Sequence, residues 1–168
     1  MSHIKTEIEI ERGPLTLKVN GRRTVLEAAP GERLLDALRR AGLLEVKEAC
    51  GEGECGSCTV LLDGKAVCSC LTLAHSVEGA EITTVGIQGV ARIDALKQAM
   101  VEEMGTQCGF CTPGMVLSAA DLLQHHPQPD DEQVKDALAG NLCRCTGYTR
   151  IASAVHRAAD QLHKEGQS

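Results

Sequence analysis

Apolar residues first recur along the chain with a period of two. Ile4, Ile8 and Ile10 alternate with Lys5, Glu7 and Glu9, and Leu15, Leu17 and Val19 continue the alternation, as the inward face of a half-buried strand requires. Asn20-Gly21 follows, a dipeptide suited to a two-residue hairpin turn, so residues 22–26 are expected to run back as a second strand. Pro30 and Gly31 break the chain before Leu34, Leu35, Leu38 and Ala41, whose helical spacing stops at Gly42. Residues 59–62 and 65–68 flank Asp63-Gly64 as a second hairpin, and residues 81–85 form a last strand. The predicted order is strand, strand, helix, a long Cys-rich loop, then three strands.

After Val85 the period lengthens. Gly86 and Gly89 mark a short linker, and Ile93, Leu96, Met100, Val101 and Met104 are expected on one helical face that ends at Gly105. Thr112 and Pro113 read as N-cap and first residue of a second helix carrying Val116, Leu117, Ala120 and Leu123, stopped before Pro127. Asp130 caps a third, with Val134, Ala137 and Leu138, and Ile151, Val155, Ala158, Ala159 and Leu162 make a fourth. Four short amphipathic helices suggest a small bundle. The chain therefore divides into a β-rich domain over 1–85 and a helical domain over 86–168.

Composition narrows what can hold these elements together. The 168 residues include one Phe, one Tyr and no Trp, so the core is aliphatic and small, while nine cysteines point to something besides packing. The net charge of −6 is spread evenly, with 13 acidic and 10 basic residues up to Val85 and 10 and 7 after it. No basic stripe exists to meet a phosphate backbone, which argues against a nucleic-acid partner. The first residues show no apolar leader run, and no stretch approaches the length of a membrane span, so a cytoplasmic protein is expected. In that reducing compartment many cysteines argue for metal or redox chemistry before disulfides, and nine cannot all pair.

The cysteines fall into two sets. The first is Cys50-x4-Cys55-x2-Cys58, with Cys68 and Cys70 further on, the plant-type spacing for a [2Fe–2S] cluster. Such a loop must curl around a compact inorganic core, and Gly51, Gly53 and Gly56 between the ligands supply the backbone freedom. A zinc knot is the competing use, although zinc sites usually present two tight CxxC pairs. Cys68 and Cys70, two apart on a strand, would point to the same side, so spacing does not choose between them. The second set is Cys108-x2-Cys111 with Cys143-x-Cys145, a CxxC turn at a helix start and a CxC in extended backbone that can aim four thiolates at one place. A disulfide between Cys143 and Cys145 would be badly strained. Phe110 and Tyr148, the two aromatics, sit in this set, either as packing or as a shield from water. His125 and His126, just before Pro127, read as an exposed helix end.

The segments CGEGECGSCTV at 50–60, SCLT at 69–72, QCGFCTPGM at 107–115 and GNLCRCTGY at 140–148 together resemble the iron–sulfur subunit of the molybdenum hydroxylases, the xanthine oxidase family. The resemblance spans nearly the whole chain. It implies an α+β architecture, a β-grasp ferredoxin-like domain followed by a four-helix-bundle domain, each with one [2Fe–2S] cluster. It assigns Cys50, Cys55, Cys58 and Cys70 to the first cluster and Cys108, Cys111, Cys143 and Cys145 to the second, leaving Cys68 as a ninth, non-ligating thiol. It further implies a molybdopterin-binding large subunit contacted by Gln107 and by Cys145, an FAD-binding medium subunit facing the first cluster, and a dimer of heterotrimers. Two departures from the family pattern are Ala49 in place of Gly and a stretch from 36 to 50 that is one residue short.

The expected role is a non-catalytic electron relay between molybdopterin and flavin, since no substrate-handling constellation is visible. A free-standing two-cluster carrier and a zinc protein with two four-cysteine sites are the competing readings. The substrate of the complex is not encoded here.

Overall fold

A computed structural model describes residues 11–166, and the strand expected over 4–10 lies outside them. The first hairpin consists of β1 (Gly13–Val19) and β2 (Arg22–Ala28), with Leu15 opposite Leu26 and Leu17 opposite Thr24. Asn20 and Gly21 both have positive φ (49° and 78°), the backbone a two-residue turn of matching twist needs. α1 (Leu34–Arg40) follows, then β3 (Thr59–Leu62), β4 (Lys65–Cys68), a 3-10 turn at Ala74–Val77 and β5 (Glu81–Thr83). The sheet order is β2-β1-β5-β3-β4, with β1 and β5 parallel and the other pairs antiparallel. Leu34, Leu35 and Leu38 of α1 bury against Leu15, Leu17 and Ile82.

β5 is shorter than expected. Thr84 leaves the ladder with its backbone and side chain engaged elsewhere: its backbone amide donates to Asn20 Oδ1 (2.8 Å) and its hydroxyl to Glu45 (2.7 Å). This fully buried residue ties the first turn, the sheet end and the approach to the cysteine loop together.

The second half comprises α2 (Ala91–Glu102), α3 (Thr112–His125), α4 (Asp131–Leu138) and α5 (Thr149–Gly166). α2 and α5 lie side by side, while α3 touches α2, α4, α5 and the β3–β4 hairpin. Burial on so many sides explains why residues 114–120 are all buried. Two residues assigned to the inner face of α2 are outside it: Val101 and Met104 are 71% and 60% exposed, and Ala95 and Ala99 fill the face instead. The N-cap of α3 is Cys111, one residue before the expected Thr112. Asp130 caps α4 as expected, in a reciprocal box with Gln133.

The halves meet at β3. β3 is buried on both faces, and alternation sends Val60 into the core of the sheet and Leu61 into the core of the helices. Beside it, Asp121 of α3 accepts the Ala66 amide at 2.9 Å.

Candidate metal centres

The first cysteine loop leaves α1 and is pinned before Cys50 by Arg33, whose guanidinium forks onto Asp36 (2.7 and 2.8 Å) and reaches Glu48 (2.9 Å). Ala49 is not among the residues of positive φ, so the backbone there does not require the glycine of the family pattern. From Cys50 onward the chain curls so that amides face sulfur. The Glu52 amide donates to Cys50 Sγ at 3.4 Å, and together with the Cys55 thiol and the amides of Cys55 and Glu54 it draws the Cys50 thiol down to about 7. A loop that stabilises thiolate before any metal arrives suits a metal ligand.

The thiols are gathered in twos. Cys50 contacts Cys55, and Cys58 contacts Cys70. In the second set Cys145 Sγ lies 3.6 Å from Cys108 Sγ, and Cys111 contacts Cys143. Thiolates sharing one tetrahedral ion at about 2.3 Å stand roughly 3.8 Å apart, so the Cys108–Cys145 pair at 3.6 Å has the spacing of two ligands on one metal. Among the described residues no three His, Cys, Asp or Glu side chains gather around one point as a mononuclear site needs. Four thiols in two pairs match a dinuclear cluster, which offers one iron to each pair.

Cys68 also reaches Cys58, but its surroundings differ from those of Cys70. β4 ends at Cys68 and Cys70 lies in the turn beyond it, so the two do not share a strand face as the sequence suggested. The Cys68 thiol donates to the Gly53 carbonyl (3.7 Å), a contact open only to the protonated group, whereas Cys70 receives the Gly53 amide. Burial first, then neighbouring Cys58, pushes the metal-free thiols up, to about 11 for Cys68 and about 12 for Cys70. Cys70 is nearly fully buried.

The second set is built from a helix start and a bent loop. Cys111 is the N-cap of α3, and burial followed by its contact with Cys143 raises its thiol to about 12. Residues 144–146 form bends, and Cys143 and Cys145 are not part of a strand. The bend lets the Thr146 hydroxyl reach Cys143 Sγ at 3.2 Å; against the opposing effect of burial, that contact and the Thr146 and Cys145 amides hold the Cys143 thiol below its usual value. Cys145 is raised instead, chiefly by its contact with Cys108. Tyr148, in the left-handed region (φ 68°), accepts the Cys143 amide (2.8 Å) and donates to the Asn141 carbonyl (3.2 Å), clamping this loop through its hydroxyl. Phe110 is 44% exposed. Gln107 is exposed beside Cys108, well away from either helix end, and His125 and His126 are exposed at the end of α3.

The residue most clearly overlooked in the sequence is Asn141. It is 3% exposed and lies between the two sets, donating to the Gly56 carbonyl (3.0 Å) and accepting from Ser118 (2.7 Å). Next to it, the Leu142 amide donates to the Cys55 carbonyl at 2.9 Å. Its place inside a GNLCRC run was the available signal.

Two thiol-rich loops, each with amides turned toward sulfur and set back to back, define a two-centre iron–sulfur protein. Family models agree in order: residues 17–86 match the 2Fe-2S iron-sulfur cluster binding domain and residues 83–156 the [2Fe-2S] binding domain. The chain is 44% identical over 151 residues to the nicotinate dehydrogenase small FeS subunit of Eubacterium barkeri, covering 88% of this chain and 95% of the relative. It is 43% identical over 143 residues to the xanthine dehydrogenase iron-sulfur-binding subunit of Escherichia coli O157:H7, covering 82% and 88%. Among solved structures, quinoline 2-oxidoreductase from Pseudomonas putida 86 superposes with a TM-score of 0.85 at 39% identity, over 94% of this chain and 99% of that one. The chain belongs to the iron–sulfur subunits of the molybdenum hydroxylase family.

Proposed function

We propose that the chain relays single electrons between a molybdopterin site on a large subunit and a flavin on a medium subunit, without itself touching substrate. The observation that carries this reading is the pairing of thiols in two loops joined by the hydrogen bond from the Leu142 amide to the Cys55 carbonyl. When bound, a [2Fe–2S] cluster takes up and returns one electron at a time. Cys50, Cys55, Cys58 and Cys70 hold the first, in a β-grasp domain over 1–85, and Cys108, Cys111, Cys143 and Cys145 hold the second, in a four-helix bundle over 86–168. The contacts of Cys50 with Cys55, Cys58 with Cys70, Cys108 with Cys145 and Cys111 with Cys143 support these two ligand sets.

The chain's own residues set the working conditions. Amides and the Thr146 hydroxyl directed at sulfur stabilise the reduced, more negative state, and the buried Cys58 and Cys70 keep one side of the first centre from water. From Cys143 the route to the first centre runs through Leu142 and one hydrogen bond to Cys55. Cys108 and Cys145 are exposed, with Gln107 beside them, and form the end that meets the pterin. Met104 and Phe110, 60% and 44% exposed, lie close in sequence to Gln107 and Cys108; a free carrier has no use for such exposed apolar residues, whereas a docked subunit covers them. The complex is a dimer of heterotrimers, and thiolate ligation suits a reducing cytoplasm. Among the described residues no helix is long and apolar enough to cross a membrane.

Electron paramagnetic resonance of the dithionite-reduced, metal-replete chain tests the reading. Two distinct signals totalling about two spins per chain are expected, and Cys108→Ser or Cys143→Ser should remove one and leave the other. Absence of both signals, with zinc bound, would overturn it.

A further inference from the structure

The seam between the two cysteine loops is closed around a single amide. Asn141 Oδ1 accepts from Ser118 Oγ at 2.7 Å, and Nδ2 donates to the Gly56 carbonyl at 3.0 Å and to Thr59 Oγ1 at 3.4 Å. Its backbone is held as well, its N–H by the Leu138 carbonyl (2.9 Å) and its C=O by the Tyr148 hydroxyl (3.2 Å). Gly56 belongs to the first cysteine loop, Ser118 to α3, and Asn141 precedes Leu142 and Cys143 of the second loop. No slack remains around the amide: a Cβ on Gly56 would lie 2.8 Å from Asn141 Cγ, and one on Gly114 would lie 2.8 Å from Asn141 Nδ2.

Resting on the two-centre reading, we infer that Asn141 is a positioning residue that fixes the separation of the two centres and thereby the rate of electron transfer between them. In that transfer one electron leaves the reduced second centre and arrives at the oxidised first centre; no bond is made or broken and no proton moves. The seam demands an amide, which presents an acceptor to Ser118 and a donor to Gly56 at once. A carboxylate would turn an oxygen toward the Gly56 carbonyl, and an apolar side chain would leave the Ser118 hydroxyl without its partner in a buried interface, the Gly56 carbonyl keeping only its bonds from the Thr59 amide (3.1 Å) and hydroxyl (2.7 Å). Either change forces the loops apart at the point where Leu142 meets Cys55.

The test compares the full-length chain carrying both centres with Asn141→Asp and with the milder Ser118→Ala, which removes only the bond to Oδ1. Two readouts are taken: the spin–spin splitting in the resonance spectrum of the fully reduced protein, which falls as the inverse cube of separation, and the rate of equilibration between centres after a one-electron pulse. Both variants are expected to keep about two spins per chain. The splitting should narrow and the rate fall several-fold in Asn141→Asp, with a smaller change of the same sign in Ser118→Ala. Full spin content with unchanged splitting and rate would overturn the inference. Should Asn141→Asp fail to hold its centres, Ser118→Ala decides alone, and no change in it refutes. A wild-type chain lacking the two signals would instead defeat the underlying two-centre reading.

Discussion

Leu61→Ala tests whether the sheet and the helices share one core. The side chain is 3% exposed and leaves β3 on the face opposite Val60, among residues of α2, α3 and α5. Truncation removes three carbons, a transfer loss of roughly 2.4 kcal/mol at about 0.8 kcal/mol each. The neighbours cannot close the gap well, because Ala119 and Ala120 on α3 are short and fully buried. If about 50 Å³ stays open, the cavity adds roughly 1.2 kcal/mol, giving about 3.6 kcal/mol in all. For a chain of this length that lowers Tm by roughly 7–14 °C. The assay is thermal unfolding of the cluster-loaded protein at one scan rate, followed by far-ultraviolet circular dichroism and by the visible absorbance of the centres. Both signals should move down together, since Leu61 serves the helical core from a strand of the other half. A shift under about 3 °C, or loss of the first centre's absorbance with the helices unaffected, would refute the shared core.

Three further outcomes follow from local geometry. Cys68→Ser should keep both resonance signals while Cys70→Ser loses the first, because only Cys70 receives the Gly53 amide; the reverse result would exchange the two thiols. Asp130→Ala should destabilise the eight-residue α4 by about 1 kcal/mol through loss of its cap, and Asp130→Asn, which keeps the acceptor, should cost far less; equal Tm losses in the two would refute capping. Burial raises the Glu32 carboxyl, but hydrogen bonds from Arg40 and the Ala29 amide, with the charges of Arg40 and Arg12, outweigh it and hold the group below its ordinary value. Its stabilisation is therefore present above about pH 4.5 and lost as pH falls through the lower folded value, so the Tm gap between wild type and Glu32→Gln should be level above about pH 5.5 and close in acid. A gap that widened in acid would contradict the sign.

The hairpins, α1 and the four helices were legible because their signals are local: Asn20-Gly21 and Asp63-Gly64 name their turns, and Asp130 with Gln133 names a helix start. Elements failed where tertiary contacts competed with pattern. Val101 and Met104 have helical spacing, yet they are exposed and Ala95 and Ala99 are buried with Ile93, Leu96 and Met100 in the core shared by the helices. Thr84 looked like strand and leaves it for Asn20 and Glu45, partners far away in sequence. The cysteines were legible as two sets through spacing alone, but their pairing was not. Cys58 pairs with Cys70 only because the chain turns after β4, and no spacing rule encodes a turn that Gly53 completes from the other side.

The seam also explains why two small thiol-rich loops occupy one chain. A relay needs its centres near each other and its outer ends apart; the Cys108 and Cys145 pair is exposed, and Cys143 leads through Leu142 to Cys55. Separate carriers would fix such a separation only through a transient interface, paying docking entropy at each transfer. Here the same closeness is covalent and held by Asn141, Gly56 and Gly114, residues with no role in binding metal. The substrate, by contrast, leaves no trace in them, because distance between centres is indifferent to where the electrons came from.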